Sequence, residues 1–446
     1  MRFHQLAVVL GLVLGLVVMT DARVVRAEPT ALDKLLARTD AVAREVAKIR
    51  GLALKKPIPN EVVDKDELRR RLVTMASDAK TAATTAAEAI ALARWGLIPL
   101  ATDYQALLID LMTEQIAGYY DPDTKKLTIS RSAGDDPQWA EMVLAHELDH
   151  GLQDQAFDLR KFEKLPDDEG DAAAARRALV EGDGIALMIE VMLSRQGIAV
   201  PWANPQVADA IEKAMTVPGN GDSLDKAPVA IREGMMFPYR AGFSFVAALR
   251  RRQPWSSVDA AFGKPPRSTE QVIHPERYLA DDLPVPVAFD SFTTLRGYSV
   301  AHNTVWGELG FSLFLRSHEV DPATTTLAST GWGGDRALVL VRDDDGRPQK
   351  AVAIARTEWD TEADAIEAEE AAVKALDSAV TGAIFESTAT RTRWFGLDGS
   401  VSWVERKGPS VVVVIGAPVW AADALGSEVW TASHVGKQKP KPKQKP

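Results

Sequence analysis

The five residues His146-Glu147-Leu148-Asp149-His150 form an H-E-x-x-H motif in the first half of the chain. On a helix the two histidines lie one turn apart on the same face, where both imidazoles can reach a single tetrahedral Zn²⁺. Glu147 stands beside the first histidine and can take a proton from a metal-activated water molecule. A pair of surface histidines on an amphipathic helix is the alternative interpretation. We interpret the motif as the centre of a zinc hydrolase.

The sequence around the motif predicts one long helix. Asp136 and Pro137 suit the N-cap and the first position of a helix, which we expect to extend to about Phe157. Upstream, two strand-like runs flank the turn sequence Asp121-Pro122-Asp123. The sequence therefore predicts a β-hairpin immediately before the motif helix.

Two histidines leave Zn²⁺ short of the three protein ligands that catalytic zinc sites use. The chain contains no cysteine, so the missing ligand must be a histidine or a carboxylate. Glu181 is the strongest candidate because it lies among apolar residues on a predicted helix of about 171–195, where an unpaired carboxylate is costly. Gly182 and Gly184 would let this helix pass close to the motif helix. A solvent-facing glutamate is the alternative.

The set His146, His150 and Glu181 resembles the gluzincin metallopeptidases, the thermolysin-type group whose third zinc ligand is a glutamate on the next helix. The segment 146–155 is also similar to one in a set of little-characterised exported bacterial metallopeptidases. Four further stretches share this similarity: Gly118–Pro122, Val180–Asp183, Ser268–Glu276 and Gly331–Arg336. The resemblance covers about residues 100–360. It implies these three residues as metal ligands and Glu147 as the general base.

One residue of the motif departs from the pattern of the family. Asp149 stands where such motifs usually carry threonine. This position points away from the metal on an ideal helix, so we expect a changed local charge rather than lost activity.

Metal-binding histidines need a hydrogen-bond partner that fixes their tautomer. Asp154 is a candidate because it lies on the same helical face as both histidines, and Asp183 is another. An ordinary solvated or capping role is the alternative for each. We expect one of these carboxylates to orient a metal ligand.

A developing oxyanion needs a donor besides the metal. The best candidates are Tyr239 and His274, followed by Tyr119 and Tyr120 of the predicted hairpin. Tyr239 as a plain core residue and His274 as a hydrogen-bonded structural histidine are the alternatives. The sequence does not decide between them.

The N-terminus predicts export. Arg2 precedes the apolar run Leu6–Met19, and Val25-Arg26-Ala27 resembles a cleavage site, so residues 1–27 are expected to be a signal peptide. The apolar run is shorter than the roughly 20 residues that span a bilayer, and an uncleaved anchor is the alternative. We therefore expect a periplasmic or extracellular protein of a bacterium.

We expect a predominantly helical α+β protein with a zincin-like catalytic domain. The boundaries that we expect are a helical N-terminal region at 28–100, the catalytic domain at 101–320, a small α+β portion at 321–436 and a disordered Lys/Pro tail at 437–446. Whether residues 28–100 act as a pro-region is left open.

The charge of the chain argues against a nucleic-acid partner. The formal net charge is −10, and no basic face is apparent. The lysines of the tail could touch an anionic surface, with a solvated tail as the alternative. We expect one Zn²⁺ per chain and a peptide or protein substrate, and we leave the oligomeric state open. The rival functions are a non-catalytic zinc-binding scaffold and a zinc hydrolase of a non-protein amide, such as a cell-wall bond.

Overall fold

The structure is a computed structural model that describes residues 31–198, 202, 204–214, 223–251 and 254–436. The expected signal peptide and the expected tail lie outside these residues. The helices are α1 (Ala31–Leu36), α2 (Thr39–Arg50), α3 (Lys65–Ala76), α4 (Ala79–Arg94), α5 (Tyr104–Gln115), α6 (Pro137–Phe157), α7 (Leu159–Phe162), α8 (Gly170–Arg195), α9 (Pro205–Ala214), α10 (Ser223–Lys226), α11 (Val229–Arg250), α12 (Ser256–Gly263), α13 (Thr269–Ile273), α14 (Pro275–Leu279), α15 (Gly307–Ser317), α16 (Pro322–Ser329), α17 (Glu362–Ala379) and α18 (Ala422–Thr431). The strands are β1 (Asn60–Val63), β2 (Gly118–Asp121), β3 (Lys126–Ser130), β4 (Val287–Phe289), β5 (Tyr298–Thr304), β6 (Trp332–Arg342), β7 (Val352–Trp359), β8 (Gly382–Ser387), β9 (Arg391–Gly396), β10 (Ser400–Lys407), β11 (Ser410–Pro418) and β12 (Ser433–Val435).

A three-stranded sheet lies beside the motif helix α6. Its order is β1-β3-β2, with β2 antiparallel to β3 as the predicted hairpin requires. Strand β1 pairs with β3 in parallel, from Asn60 opposite Leu127 to Val63 opposite Ser130. The region at 28–100 that we expect to be helical therefore contains one short strand besides helices α1 to α4. This strand is too short to give a clear alternating pattern, and its partner lies more than sixty residues away in the sequence.

Helices α6, α8 and α11 form the core around the motif. Helix α6 buries Val143, Leu144, Leu148 and Leu152 completely, and burial of each such side chain stabilises the fold by roughly 1.5–3 kcal/mol. Helix α8 packs most extensively against α11.

Two glycines set how closely α8 approaches its neighbours. A Cβ at Gly182 would lie 2.1 Å from the carbonyl oxygen of Gly242, so α8 and α11 meet backbone to backbone. A Cβ at Gly184 would lie 2.7 Å from the ring of His146. The sequence predicted that both glycines face the motif helix, and this is correct for Gly184 alone. Gly182 instead brings α8 close to α11.

The C-terminal part is a seven-stranded antiparallel sheet of order β5-β6-β7-β11-β10-β9-β8. Helix α17 packs on one face, with α15 and α16 beside it, and α18 covers part of the other face. The sheet begins at Tyr298, which lies before the boundary that we expect at residue 321. Ala91 and Trp95, at the end of α4, belong to the core of this sheet.

The N-terminal helices do not form a separate unit. Helix α2 packs on α6 and α8, whereas α4 packs on the C-terminal sheet. The chain is therefore a mixed α+β protein in which residues 31–100 contact both halves. None of the helices in the described part of the chain is long and apolar enough to cross a membrane.

Candidate metal centre

Helix α6 begins and ends at the residues that the sequence predicts. The Asp136 side chain accepts hydrogen bonds from the backbone N–H groups of Gln138, at 2.8 Å, and Trp139, at 3.2 Å. Pro137 is the first helical residue, where its missing N–H costs nothing. The helix ends at Asp158, whose φ of 56° is left-handed. The motif therefore occupies the middle of a well-defined helix.

His146, His150 and Glu181 converge on one point. The Nε2 atoms of the two histidines are 2.9 Å apart. One oxygen of Glu181, Oε2, lies 3.2 Å from the Nε2 of His146 and 3.4 Å from that of His150. A tetrahedral zinc site with bonds of about 2.0–2.1 Å separates its donors by about 3.3 Å. These donors therefore fit a small divalent cation. In the part of the chain that the structure describes, they form the one group of three such side chains close enough to hold a metal, and we call this group the metal cluster.

The three side chains are fully enclosed, and burial and charge act on them in opposite directions. Burial would raise the pKa of Glu181, but the charges of His150 and His146 and their hydrogen bonds together outweigh it, and the pKa falls to about 2. Burial would lower the pKa of His150, but the charges of Glu181 and Glu147 and the hydrogen bonds to Glu181 and Gln153 together outweigh it, and the pKa rises to about 10. Burial lowers the pKa of His146. The site therefore holds an ionised carboxylate against imidazoles, and such a carboxylate attracts a cation.

Glu147 is the least satisfied polar group of the motif. It is completely buried, and neither carboxylate oxygen completes a hydrogen bond. Burial raises the pKa of Glu147 to about 8, and the positive charge of His150 offsets only part of this rise. Strand β2 lies directly against it, since a Cβ at Gly118 would be 3.2 Å from the Cγ of Glu147. A buried carboxylate with a pKa near neutrality can both accept and return a proton.

Gln153 orients one of the histidines. Its Oε1 lies 2.9 Å from the Nδ1 of His150, which leaves the Nε2 of that ring facing Glu181. The Nε2 of Gln153 donates to Asp183 at 3.0 Å, and Asp183 accepts from the Nε of Arg50 at 2.8 Å. A chain of four buried side chains therefore runs from α2 to the metal cluster. Asp183 supports His150 through Gln153 and not by direct contact.

The expectation that Asp154 orients a histidine is wrong. Its carboxylate accepts hydrogen bonds from the hydroxyl of Tyr120 at 2.8 Å and from the Nζ of Lys125 at 2.7 Å. It therefore ties the hairpin to α6. Asp149 is also buried and accepts from Gln153 at 2.9 Å, and burial raises its pKa. As expected from the helix geometry, Asp149 is not part of the metal cluster.

The other predicted site residues, His274, Tyr239 and Tyr119, are not part of the group formed by His146, His150 and Glu181. His274 directs one ring nitrogen to Glu308, at 3.0 Å, and the other towards Glu276, at 3.7 Å. Tyr239 is buried on α11 in the core that surrounds the site. The hydroxyl of Tyr119 accepts from Arg71 at 3.4 Å. The donor that would stabilise an oxyanion therefore stays a prediction.

A cavity of about 820 Å³ lies between helices α7, α8 and α11 and the C-terminal part of the chain, and neither the three converging side chains nor Glu147 belongs to its wall. Its wall includes Glu163 after α7, Arg177 on α8 and Trp306 before α15. Burial raises the pKa of Glu163 to about 7, and the charges of Glu181 and His150 also act on it, so this part of the wall is near the metal cluster. No sequence pattern indicates a role for Glu163, because its position depends on the path of the loop between α7 and α8.

Sequence comparison covers the C-terminal part alone. A family model described as a domain of unknown function, DUF8575, matches residues 295–426. These residues contain the seven-stranded sheet and exclude the metal cluster. No curated protein and no solved structure matches the chain.

Proposed function

We propose that this chain is an exported, zinc-dependent peptidase of gluzincin type. One observation carries the proposal: His146, His150 and Glu181 direct three donor atoms at one point, and Glu147 stands unpartnered beside them. Two imidazoles and a carboxylate are a donor set that suits Zn²⁺ in catalytic sites, where a fourth position stays open. A purely structural zinc site needs no adjacent carboxylate.

The chemistry assigned to each residue follows from its place. Zn²⁺ bound at the cluster would polarise a water molecule and the carbonyl group of the substrate. Glu147 accepts a proton from the attacking water and returns it to the leaving amine. Gln153 holds His150 with its Nε2 facing inwards. The hydrophobic core of α6, α8 and α11 keeps bulk water away from these groups.

The cavity supports a substrate of several residues. Its volume of about 820 Å³ lies within the range of about 300–1,000 Å³ that is common for small-molecule sites. The wall combines apolar and aromatic side chains with a few charged groups, as specific binding sites do. A short peptide segment matches this mixture.

The test combines metal analysis with digestion of a peptide library by the purified chain. We expect about one zinc per chain, and we expect E147Q to retain the metal and lose hydrolysis, since general acid–base catalysis contributes about 10²–10⁴-fold. Glu141→Gln is the matched control, because Glu141 lies on the same helix and pairs with Arg195 at the surface. Hydrolysis by E147Q at the wild-type rate would contradict the proposal.

Two other outcomes would favour one of the rival functions over a peptidase. A chain that binds zinc but cleaves no peptide above the E147Q background would favour the scaffold. If the chain cleaves cell-wall amides in a Glu147-dependent way and leaves peptides uncleaved, the result would favour a hydrolase of a non-protein amide.

A further inference from the structure

Arg177 lies one helical turn before Glu181 on α8. Residues four positions apart share a helix face and are separated by about 6 Å along the axis. Arg177 also belongs to the wall of the cavity and is half-buried. The backbone of Arg177 therefore lies one turn from that of Glu181, and the Arg177 side chain forms part of the cavity wall.

Arg177 differs from the other arginines of the wall in its contacts. The Nε of Arg160 pairs with the Oδ1 of Asp123 at 2.7 Å. Arg176 donates to the backbone carbonyl of Phe162 and covers the ring of that residue. Across the described ranges Arg177 makes no hydrogen bond and no ion pair. The guanidinium of Arg177 is therefore available to a ligand that enters the cavity.

Glu163, an acidic residue of the cavity wall, does not neutralise Arg177 by direct contact. Glu163 interacts electrostatically with Arg177 across the cavity wall but makes no ion pair with it. Burial raises the pKa of Glu163 to about 7, so this carboxyl carries only part of a negative charge at neutral pH. Arg177 therefore retains positive charge that faces the cavity.

We propose that Arg177 binds a carboxylate of the substrate, which makes the substrate a peptide with an acidic group beside the bond that is cleaved. This inference rests on the proposed function and deepens it. A guanidinium presents a planar fork of donors that matches a carboxylate in a bidentate way. The carboxylate belongs either to a free C-terminus or to an Asp or Glu side chain, since the chemistry of the two is the same.

The direction of the side chain makes Arg177 a specificity residue rather than a catalytic one. Side chains on a helix lean towards its N-terminus. Arg177 therefore extends away from Glu181 and towards the cavity, so its charged end reaches a neighbouring part of the substrate and not the reacting carbonyl group.

The experiment compares four peptide libraries that differ only in charge. Two end in a free carboxylate or in an amide, and two carry Glu or Gln next to the randomised positions. We expect the wild-type chain to prefer one acidic library over its neutral match by about 10–100-fold in kcat/KM, the size of one charge-assisted contact. In Arg177→Ala this preference should disappear because KM for the acidic library rises. The kcat on the neutral library should stay unchanged. Which acidic library is preferred identifies the source of the carboxylate.

Two variants control for charge and folding. Arg177→Lys keeps the charge without the planar fork and should recover only part of the preference. Arg160→Ala removes a cation from the same wall that is already paired, and it should leave the preference intact. An equal preference in the wild-type chain and in Arg177→Ala, or no preference in either, would overturn the proposal.

A binding measurement separates this inference from the proposed function. Calorimetric titration of the E147Q chain with the peptides Ala-Ala-Ala-Glu and Ala-Ala-Ala-Gln-amide needs no hydrolysis. Tighter binding of the acidic peptide that disappears with Arg177→Ala supports the carboxylate site even if nothing is cleaved. Equal binding of both peptides would overturn the carboxylate site even if peptides are hydrolysed.

Discussion

Helix α8 carries a buried carboxylate in each of two polar clusters, and the two clusters differ in what faces those carboxylates. The metal cluster contains His146, His150 and Glu181. The acid cluster lies where α8 begins and contains Asp171, Glu270, His274, Arg277 and Glu308. In the metal cluster three metal-binding atoms face one another, whereas in the acid cluster Asp171 faces Thr269, Glu308 faces His274, and Glu270 faces Arg277. The carboxylates of both clusters are buried, so the feature that distinguishes the metal cluster is that its three metal-binding atoms converge on one point.

The acid cluster is assembled from hydrogen bonds and ion pairs. Asp171 accepts from the backbone N–H of Thr269 at 3.0 Å and also from its hydroxyl. His274 pairs with Glu308 at 3.0 Å, and Arg277 approaches Glu270 at 3.5 Å. These contacts join α8, α13, α14 and α15. The cluster therefore holds helices together.

The two clusters also shift the pKa values of their acids in opposite directions. The pKa of Glu181 is about 2, because the charges and hydrogen bonds of His150 and His146 together outweigh burial. Burial raises the pKa of Asp171 to about 8 and that of Glu270 to about 9, and the nearby carboxylates add to this rise. The acid of the metal cluster is thus ready to bind a cation, whereas the acids of the other cluster hold protons.

The largest effect is expected from removing a metal donor. Glu181→Ala or His150→Ala leaves two donors, too few for a stable zinc site, so metal content should fall from about one per chain to near zero. Glu270→Ala is the control from the acid cluster and should leave metal content unchanged. Metal analysis after dialysis checks both. Full zinc content in Glu181→Ala would require another carboxylate as the third ligand.

The metal cluster was predictable from the sequence, and the acid cluster was not. The spacing of His146 and His150 is local, and Glu181 stood out as an acid in an apolar helix. The acid cluster joins Asp171 to Thr269, residues 98 positions apart, and only His274 was noticed. No sequence period reports such a contact.

The same limit explains what was missed around the metal cluster. Gln153 lies three residues after His150 on the same helix, so the helical period could have identified it. Arg50 pairs with Asp183 across 133 positions, and no local pattern indicates that pair. Glu163 depends on a loop whose path only the tertiary packing determines.

The second largest effect is expected on the pH dependence of stability, which depends on Asp171 in the acid cluster. Asp171 has a pKa of about 8 in the folded chain and about 3.9 in an unfolded one. Between these values the folded state holds a proton that the unfolded state has released, so stability falls as the pH rises from 4 to 8. The free energy of unfolding should differ between pH 5 and pH 8 by a few kcal/mol less in Asp171→Asn than in the wild-type chain, as measured by urea unfolding. Asp110→Asn, at an exposed ion pair, should change little, and an unaltered dependence in Asp171→Asn would refute the assignment.

A smaller effect is expected at the partner of His150. Gln153→Ala removes the hydrogen bond to the Nδ1 of His150 and the link to Asp183. Loss of such an orienting contact lowers metal affinity by about 10–100-fold. Competition with a chelator measures this change, and Gln155→Ala, whose amide bonds only to the loop at Lys55 and Lys56, is the control. Equal affinities in the two variants would mean that packing alone orients His150.

The smallest effect is expected at His274, and it decides whether the two clusters share any function. Because the ring nitrogens of His274 face Glu308 and Glu276, His274→Asn should leave metal content and kcat within about twofold, far below the roughly 10²-fold that loss of an oxyanion donor costs. Stability should fall by about 1 kcal/mol, the usual size of a lost hydrogen bond. Steady-state kinetics and urea unfolding on one preparation separate the two effects. A fall in kcat of a hundredfold at unchanged stability would instead make His274 the oxyanion donor that its sequence context predicts, and the acid cluster would then belong to the active site.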